Sequence, residues 1–394
     1  MTPLVLALAL AAPAQPTTFT AIGAGDEAPT GTLVAISLAL GAQLKTPAGE
    51  ITVKGLVGLR RTDTPVPAIP IGAQLVTAGG GRIPGSVHGG DARAIRFRPN
   101  VAVDDWSIAL DAVAAVWLAA PPADTPVDPA KYTWLAGAPP RDVLLYRNGD
   151  AVRGALNGFT ATGARFTPDG GTAREVPLKD LAAVGFNPRF ARTRKPKGPY
   201  AHLVLTDGTR LDVTELAVKD AALVAKAVCG PVIEVPLSKV VALDVLQGSA
   251  TYLSDLKPKK AEVSGFLGDG WPWAADRTVR GQPIRLLTRD GESTFDKGLG
   301  THAKTVLTYE LGKEFTRFEA LVGLDAATGK RGRADVRILL DGKEVAALKA
   351  LSAGPAVPVA VNIRGAKELT LVVDFGPTGD VQADVNWGEA RLVE

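Results

Sequence analysis

Phe295-Asp296-Lys297-Gly298-Leu299-Gly300-Thr301-His302-Ala303, running on into Lys304-Thr305-Val306-Leu307-Thr308-Tyr309-Glu310-Leu311, decides the fold of the C-terminal third of the chain. Glycines at 298 and 300 let the backbone turn where a Cβ would clash. Val306, Thr308 and Glu310 then alternate with Leu307, Tyr309 and Leu311, as in a half-buried strand. The expectation is a tight double-glycine turn feeding a strand.

Working outward, further β signals follow: Phe318 to Asp325, Asp335 to Val345 and Leu369 to Asp374. Asp341-Gly342 between apolar runs marks a two-residue hairpin, because both central residues of a type I′ turn need positive φ. The end, Gln382-Ala383-Asp384-Val385-Asn386-Trp387-Gly388-Glu389, is read as a polar and aromatic loop leading into a last short strand. Together these predict a two-sheet β-sandwich.

Five features resemble, in order, the NPCBM family of carbohydrate-binding modules, jelly rolls of the galactose-binding-like type. They are Tyr252-Leu253-Ser254-Asp255-Leu256, Lys297 to Ala303, Val322-Gly323-Leu324-Asp325, Asp341-Gly342-Lys343, and Ala383-Asp384 to Trp387. The resemblance covers residues 250–394. Two departures are an apolar, glycine-rich insertion around Phe266 to Gly270, and Gln382 where the family often has a histidine. The resemblance implies glycan binding without catalysis.

The composition excludes other classes. The 394 residues provide for two to four domains, and 44 Lys+Arg against 41 Asp+Glu give no charge excess for nucleic acid or an acidic membrane. A single cysteine, Cys229, rules out an internal disulfide or a cysteine-based zinc site, and its apolar neighbours Val228 and Ala227 fit a buried inert thiol. His88, His202 and His302 are too scattered for a zinc cluster. Residues 1–14, an apolar run Leu4 to Ala12 closed by Ala12-Pro13-Ala14, read as an export signal peptide, hence a secreted, periplasmic or cell-surface protein. No other run approaches the roughly 20 apolar residues needed to span a bilayer.

From about residue 20 to 248 the chain repeats itself. Asp142 to Asp150 and His202 to Arg210 are each a strand, a glycine-containing turn and the start of a second strand. Each unit later reaches Glu-Val-Pro-Leu, at Glu175 and Glu234, with Leu145-to-Leu178 and Leu205-to-Leu237 spacings of 33 and 32 residues. A third copy begins at Gln74 and a degenerate fourth occupies residues 20–61. Units of about 45 residues bury too little surface to stand alone, so neighbouring copies are expected to pack together as tandem SH3-like or Sm-like barrels. The proline of Val-Pro-Leu donates to no ladder and belongs at a strand start or an edge. Residues 121–140 are proline-rich and read as a stiff linker between two pairs of units. The basic runs Arg189 to Pro199 and Lys257 to Lys260 read as solvated loops.

There is no Gly-x-Ser-x-Gly elbow, P-loop or His-Glu-x-x-His, and no carboxylate pair is marked for glycoside hydrolysis, so the expected protein is not an enzyme. Trp271-Pro272-Trp273 with Asp276 is the leading ligand candidate, since indole faces stack on sugar rings and a carboxylate accepts hydroxyl protons; the alternative is a loop packed on the sandwich. His302, Asp384, Asn386 and Trp387 complete the candidate set; the other reading of His302 is support of the turn, and that of Trp387 is burial under the closing loop. Asp325 either caps its own loop or contributes to a calcium site. The expected class is thus an all-β exported protein whose partner is a glycan or polysaccharide, or other extracytoplasmic proteins if the sugar site is lost.

Overall fold

A computed structural model describes residues 17–394 apart from 26, 40, 267 and 313. The signal-peptide segment, 1–14, lies outside the described residues. The protein is all-β, and among the described residues no helix is long and apolar enough to cross a membrane.

Twenty strands between Thr18 and Leu246 form four successive groups of five, paired alike. In the third group, Asp142–Tyr146 pairs with Ala151–Phe159, which pairs with Gly163–Pro168, which pairs with Arg174–Pro177; the fifth strand, Leu181–Gly185, returns to the first. The fourth group, from Tyr200–Leu205 to Val240–Leu246, repeats this order, as do the groups starting at Gln74–Thr77 and Thr18–Gly23. In every group the ladder between the second and third strands shifts register once, at Leu33/Ala35, Val87/Gly89, Leu156/Gly158 and Thr214/Ala217. Such bulges bend a strand and sharpen its twist, which lets one strand serve both halves of a small curled sheet.

The local sequence explains two recurring details. Gly85 and Gly154 each lie on a second strand beneath the ring of a buried phenylalanine on the third, Phe97 and Phe166; a Cβ at either glycine would strike that ring and a carbonyl oxygen of the third strand. Pro177 and Pro236 end the fourth strands, which pair only with the third. The proline therefore sits on an edge but at the strand's end, not its start. A 3₁₀ turn follows, Leu178–Asp180 and Leu237–Lys239, before the fifth strand.

The groups do not simply pack on their neighbours. The fifth strand of the first group, Leu56–Arg61, pairs with that of the fourth, Val240–Leu246. Val113–Trp117 of the second pairs with Leu181–Gly185 of the third. Residues 121–140 accordingly connect two groups joined by one ladder, and they fold back: Tyr132 and Leu135 are buried with Trp117 and Val143, and the Tyr132 and Trp134 rings stack at 5.8 Å.

Residues 250–394 form the two-sheet sandwich. One sheet runs Ala274–Ala275, Gly298–His302, Asp384–Val393, Arg317–Leu324, Val357–Asn362. The other runs Lys260–Val263, Thr305–Glu310, Glu368–Phe375, Arg333–Leu340, Lys343–Ser352. Asp341 and Gly342, with φ of 49° and 81°, make the hairpin turn that the sequence requires. Two local expectations are corrected. Gly298–His302 is a buried central strand rather than a turn, and its glycines are needed because a Cβ at Gly300 would strike the Arg277 carbonyl and one at Gly298 that of Trp387. Asp384 to Glu389 is likewise no loop: it lies in the ten-residue strand Asp384–Val393, paired on both sides.

The sandwich docks onto the first and fourth groups. Val57, Ala250 and Val393 form a small apolar cluster, and beside it Arg60 reaches Asp244 at 2.5 Å and also Glu389. Farther along, His202 Nδ1 stands 2.8 Å from Asp212, while Asp296 of the sandwich accepts from Arg210 Nε at 2.7 Å and lies 3.4 Å from His202 Nε2. Burial alone would lower the His202 pKa, but Asp212 and Asp296 outweigh it and hold it at about 10. A histidine raised in the folded state contributes stability that is complete below its unfolded value of roughly 6.5 and vanishes as pH rises through the folded value. The urea midpoint of the chain is therefore expected to fall between pH 7 and pH 10 by more than in His202→Asn; equal falls in the two proteins would contradict this assignment.

Candidate functional site

Strands Gly298–His302 and Asp384–Val393 run side by side with His302 opposite Asp384. Both side chains are buried, and His302 Nδ1–H donates to Asp384 Oδ1 at 2.7 Å. The second oxygen, Oδ2, accepts from Thr328 Oγ1 at 3.0 Å and from Arg280 Nε at 3.2 Å. Burial raises the Asp384 pKa, but His302, Arg280 and Thr328 outweigh it and hold the carboxyl below its ordinary value. Asp384 is thus an ionised hub buried beneath the surface.

Above the hub Trp271 and Arg280 are exposed, while His302 stays buried beneath them. The Arg280 guanidinium lies 4.8 Å from the Trp271 ring centroid, a cation–π distance, and the Trp271 and His302 rings are 6.1 Å apart. Trp271 keeps 44% of its surface exposed. The arrangement is an indole platform flanked by a guanidinium and an imidazole, both oriented by one carboxylate. Such a site can stack on an apolar ring face while directing hydrogen bonds at its substituents.

The other sequence candidates fall elsewhere. Trp273 is half-buried and packs against the sandwich core. Asp276, with positive φ, caps Gly298 N at 3.1 Å and pairs with Lys297 at 2.8 Å, facing the junction between sandwich and strand groups. Trp387 and Asn386 are corrected to interior positions. Trp387 is fully buried with Nε1–H donating to Thr301 Oγ1, and Asn386 donates to Asp325 Oδ2 at 2.7 Å, so neither has a surface to offer a ligand. Asp325 accepts through its other oxygen from Ala327 N at 2.8 Å, and burial pushes its carboxyl up. Among the described residues no group of three or more His, Cys, Asp or Glu could hold a metal ion. Asp325 thus caps the loop that follows its strand.

Arg280 and Thr328 were not among the sequence candidates. Both lie in loops without a motif, and only the fold brings them within reach of Asp384. Gln382 also has a visible use: its Oε1 accepts from Arg331 N at 3.0 Å and pins two loops beside the site.

The fold and site define a β-sandwich that offers a braced aromatic platform, attached to an array of small curled sheets. Residues 249–393 match the NPCBM/NEW2 domain family. Over 151 residues the chain is 29% identical to a protein of Renibacterium salmoninarum named as a candidate endo-alpha-N-acetylgalactosaminidase, covering 36% of this chain and only 9% of that relative's length. Two solved structures from Clostridium perfringens are similar. CBM51 from GH95 in complex with methyl-galactose is 28% identical, covers 36% of this chain and 99% of that one, and has a TM-score of 0.34. CBM51-2 with GlcNAc and INT domains of ZmpB is 25% identical, covers 46% and 40%, and also has a TM-score of 0.34.

Proposed function

We propose that this is an exported, non-catalytic glycan-binding protein whose C-terminal sandwich holds a sugar at Trp271, Arg280 and His302, over Asp384. The observation that carries the reading is an exposed indole whose flanking cation and imidazole are both held by one buried carboxylate, an arrangement that the core of the sandwich does not require. The four strand groups, which we read as copies of one SH3-like barrel, act as spacer or assembly surface outside the cytoplasm.

The test is retention of the full chain on a glycan array that includes galactose- and N-acetylglucosamine-terminated sugars. Loss of the stacking ring in Trp271→Ala is expected to weaken retention at least about tenfold, equivalent to about 1.4 kcal/mol, with little change in thermal unfolding because the ring is already half in water. Undiminished binding by that variant would place the sugar elsewhere. If the folded chain retains no glycan, the second reading takes over, a structural or protein-interaction module. The ion pairs that lock the sandwich to the array favour that alternative.

A further inference from the structure

We propose that the cleft between the sandwich and the strand groups binds a monosaccharide-sized organic anion, with Arg82 and Arg277 receiving its carboxylate, phosphate or sulfate group. The cleft encloses about 530 Å³ and is walled by the second group at Gly79 to Arg82, by Val127 to Lys131 of the folded-back segment, by the fourth group and by the sandwich. It is separate from the Trp271 platform, and nothing in the glycan reading above uses it.

The charges facing the cleft do not cancel locally. Its carboxylates are Asp128, Asp212, Asp276 and Asp296, and its cations are Arg82, Lys131, His202, Arg210, Arg277 and Lys297. Asp296 is taken by Arg210 and His202, Asp212 by His202, and Asp276 by Lys297; Asp128 caps Ala130 N. Arg82, Arg277 and Lys131 have no carboxylate partner among the described residues.

Arg82 is the unusual member. It is 4% exposed, yet it bonds only neutral acceptors, the Val127 carbonyl, Tyr132 Oη at 3.2 Å and Gln74 Oε1 at 3.5 Å, and its buried Nε has no partner. A buried guanidinium without a counter-ion is costly, and one that lines an open cleft is served by an incoming anion. Arg277 donates to the Asp276 carbonyl, and burial together with the like charge of Arg82 pulls its pKa down against the attraction of Asp276 and Asp296. Two guanidinium groups in one cleft suit the planar, bidentate recognition of an oxyanion, and the volume suits a ring-sized body.

The experiment is calorimetric titration of the full chain at low salt with glucuronate, glucose 6-phosphate, inorganic phosphate and neutral galactose. Wild type is compared with Arg277→Gln, Lys131→Gln and Trp271→Ala. At least one anion is expected to bind saturably at one site. Arg277→Gln should weaken it tenfold or more, the exposed Lys131→Gln about threefold, and Trp271→Ala not at all; galactose should not compete. Selectivity between glucuronate and the phosphates supports the site and fixes which oxyanion it takes. Absence of saturable anion binding to the folded wild type, unchanged affinity in both charge variants, or loss of anion binding in Trp271→Ala overturns the proposal. The last result would leave the glycan platform standing.

Discussion

Arg60→Met is expected to destabilise the chain by about 3–5 kcal/mol, because it strands two carboxylates in the interface between sandwich and array. Arg60 bridges Asp244 of the fourth strand group to Glu389 of the sandwich, with all three side chains mostly buried. Burial disfavours the Arg60 charge, but Asp244 and Glu389 outweigh it and raise the pKa further above its usual value; Glu389 is correspondingly held low by Arg60 and Arg391. Methionine keeps much of the volume, so the loss reports the charge. Arg391 remains on Glu389 at 3.1 Å, which places the effect toward the lower end of that range. Urea unfolding read by tryptophan fluorescence is the measurement, and a change below about 1 kcal/mol would show that the network is solvated rather than buried. Asp244→Asn combined with Arg60→Met should recover part of the loss, since one orphaned charge is removed.

Asp384→Ala is the second large effect, and it falls on both stability and binding. The substitution removes the acceptor for His302, Thr328 and Arg280 at once. Thr328 and Arg280 can turn to water, whereas His302 is 4% exposed and loses its Nδ1 partner, so the expected cost is about 1–3 kcal/mol. Glycan retention should drop at least about tenfold, because Arg280 and His302 are no longer held against the indole. Asp384→Asn, with one oxygen left to accept, should lose less in both assays. Since the Asp384 pKa is depressed in the fold, its contribution is complete above roughly pH 4, the unfolded value, and is lost as pH falls through the lower folded value. Retention that stays intact in Asp384→Ala would mean that the carboxylate braces the loop without shaping the site.

The sandwich was legible because alternation along Thr305 to Leu311 and the Asp341-Gly342 turn are local signals: each depends on the residue's own backbone and its neighbours two positions away. The error over Gly298 to Ala303 arose from the same locality. Two glycines among small residues look like a turn, yet here they admit a close approach of the Arg277 carbonyl from a loop and the Trp387 carbonyl from the neighbouring strand. Trp387 and Asn386 were misplaced for a related reason, since polar and aromatic residues together resemble a loop until a partner such as Thr301 or Asp325 is in view.

By itself, then, the sequence determined that this is a β protein with a sandwich in its last third, which rests on patterning along one chain; that the sandwich is of a carbohydrate-binding kind, with Trp271, His302 and Asp384 as candidates, came from its resemblance to a family and from residue chemistry. Only the tertiary structure decided that Arg280 and Thr328 converge on Asp384, that the first strand group pairs with the fourth, and that Arg82 and Arg277 face one cleft. Those juxtapositions join residues separated by dozens to hundreds of positions, and hydrogen bonds and charges act through space at a few ångströms, a distance that linear order does not record.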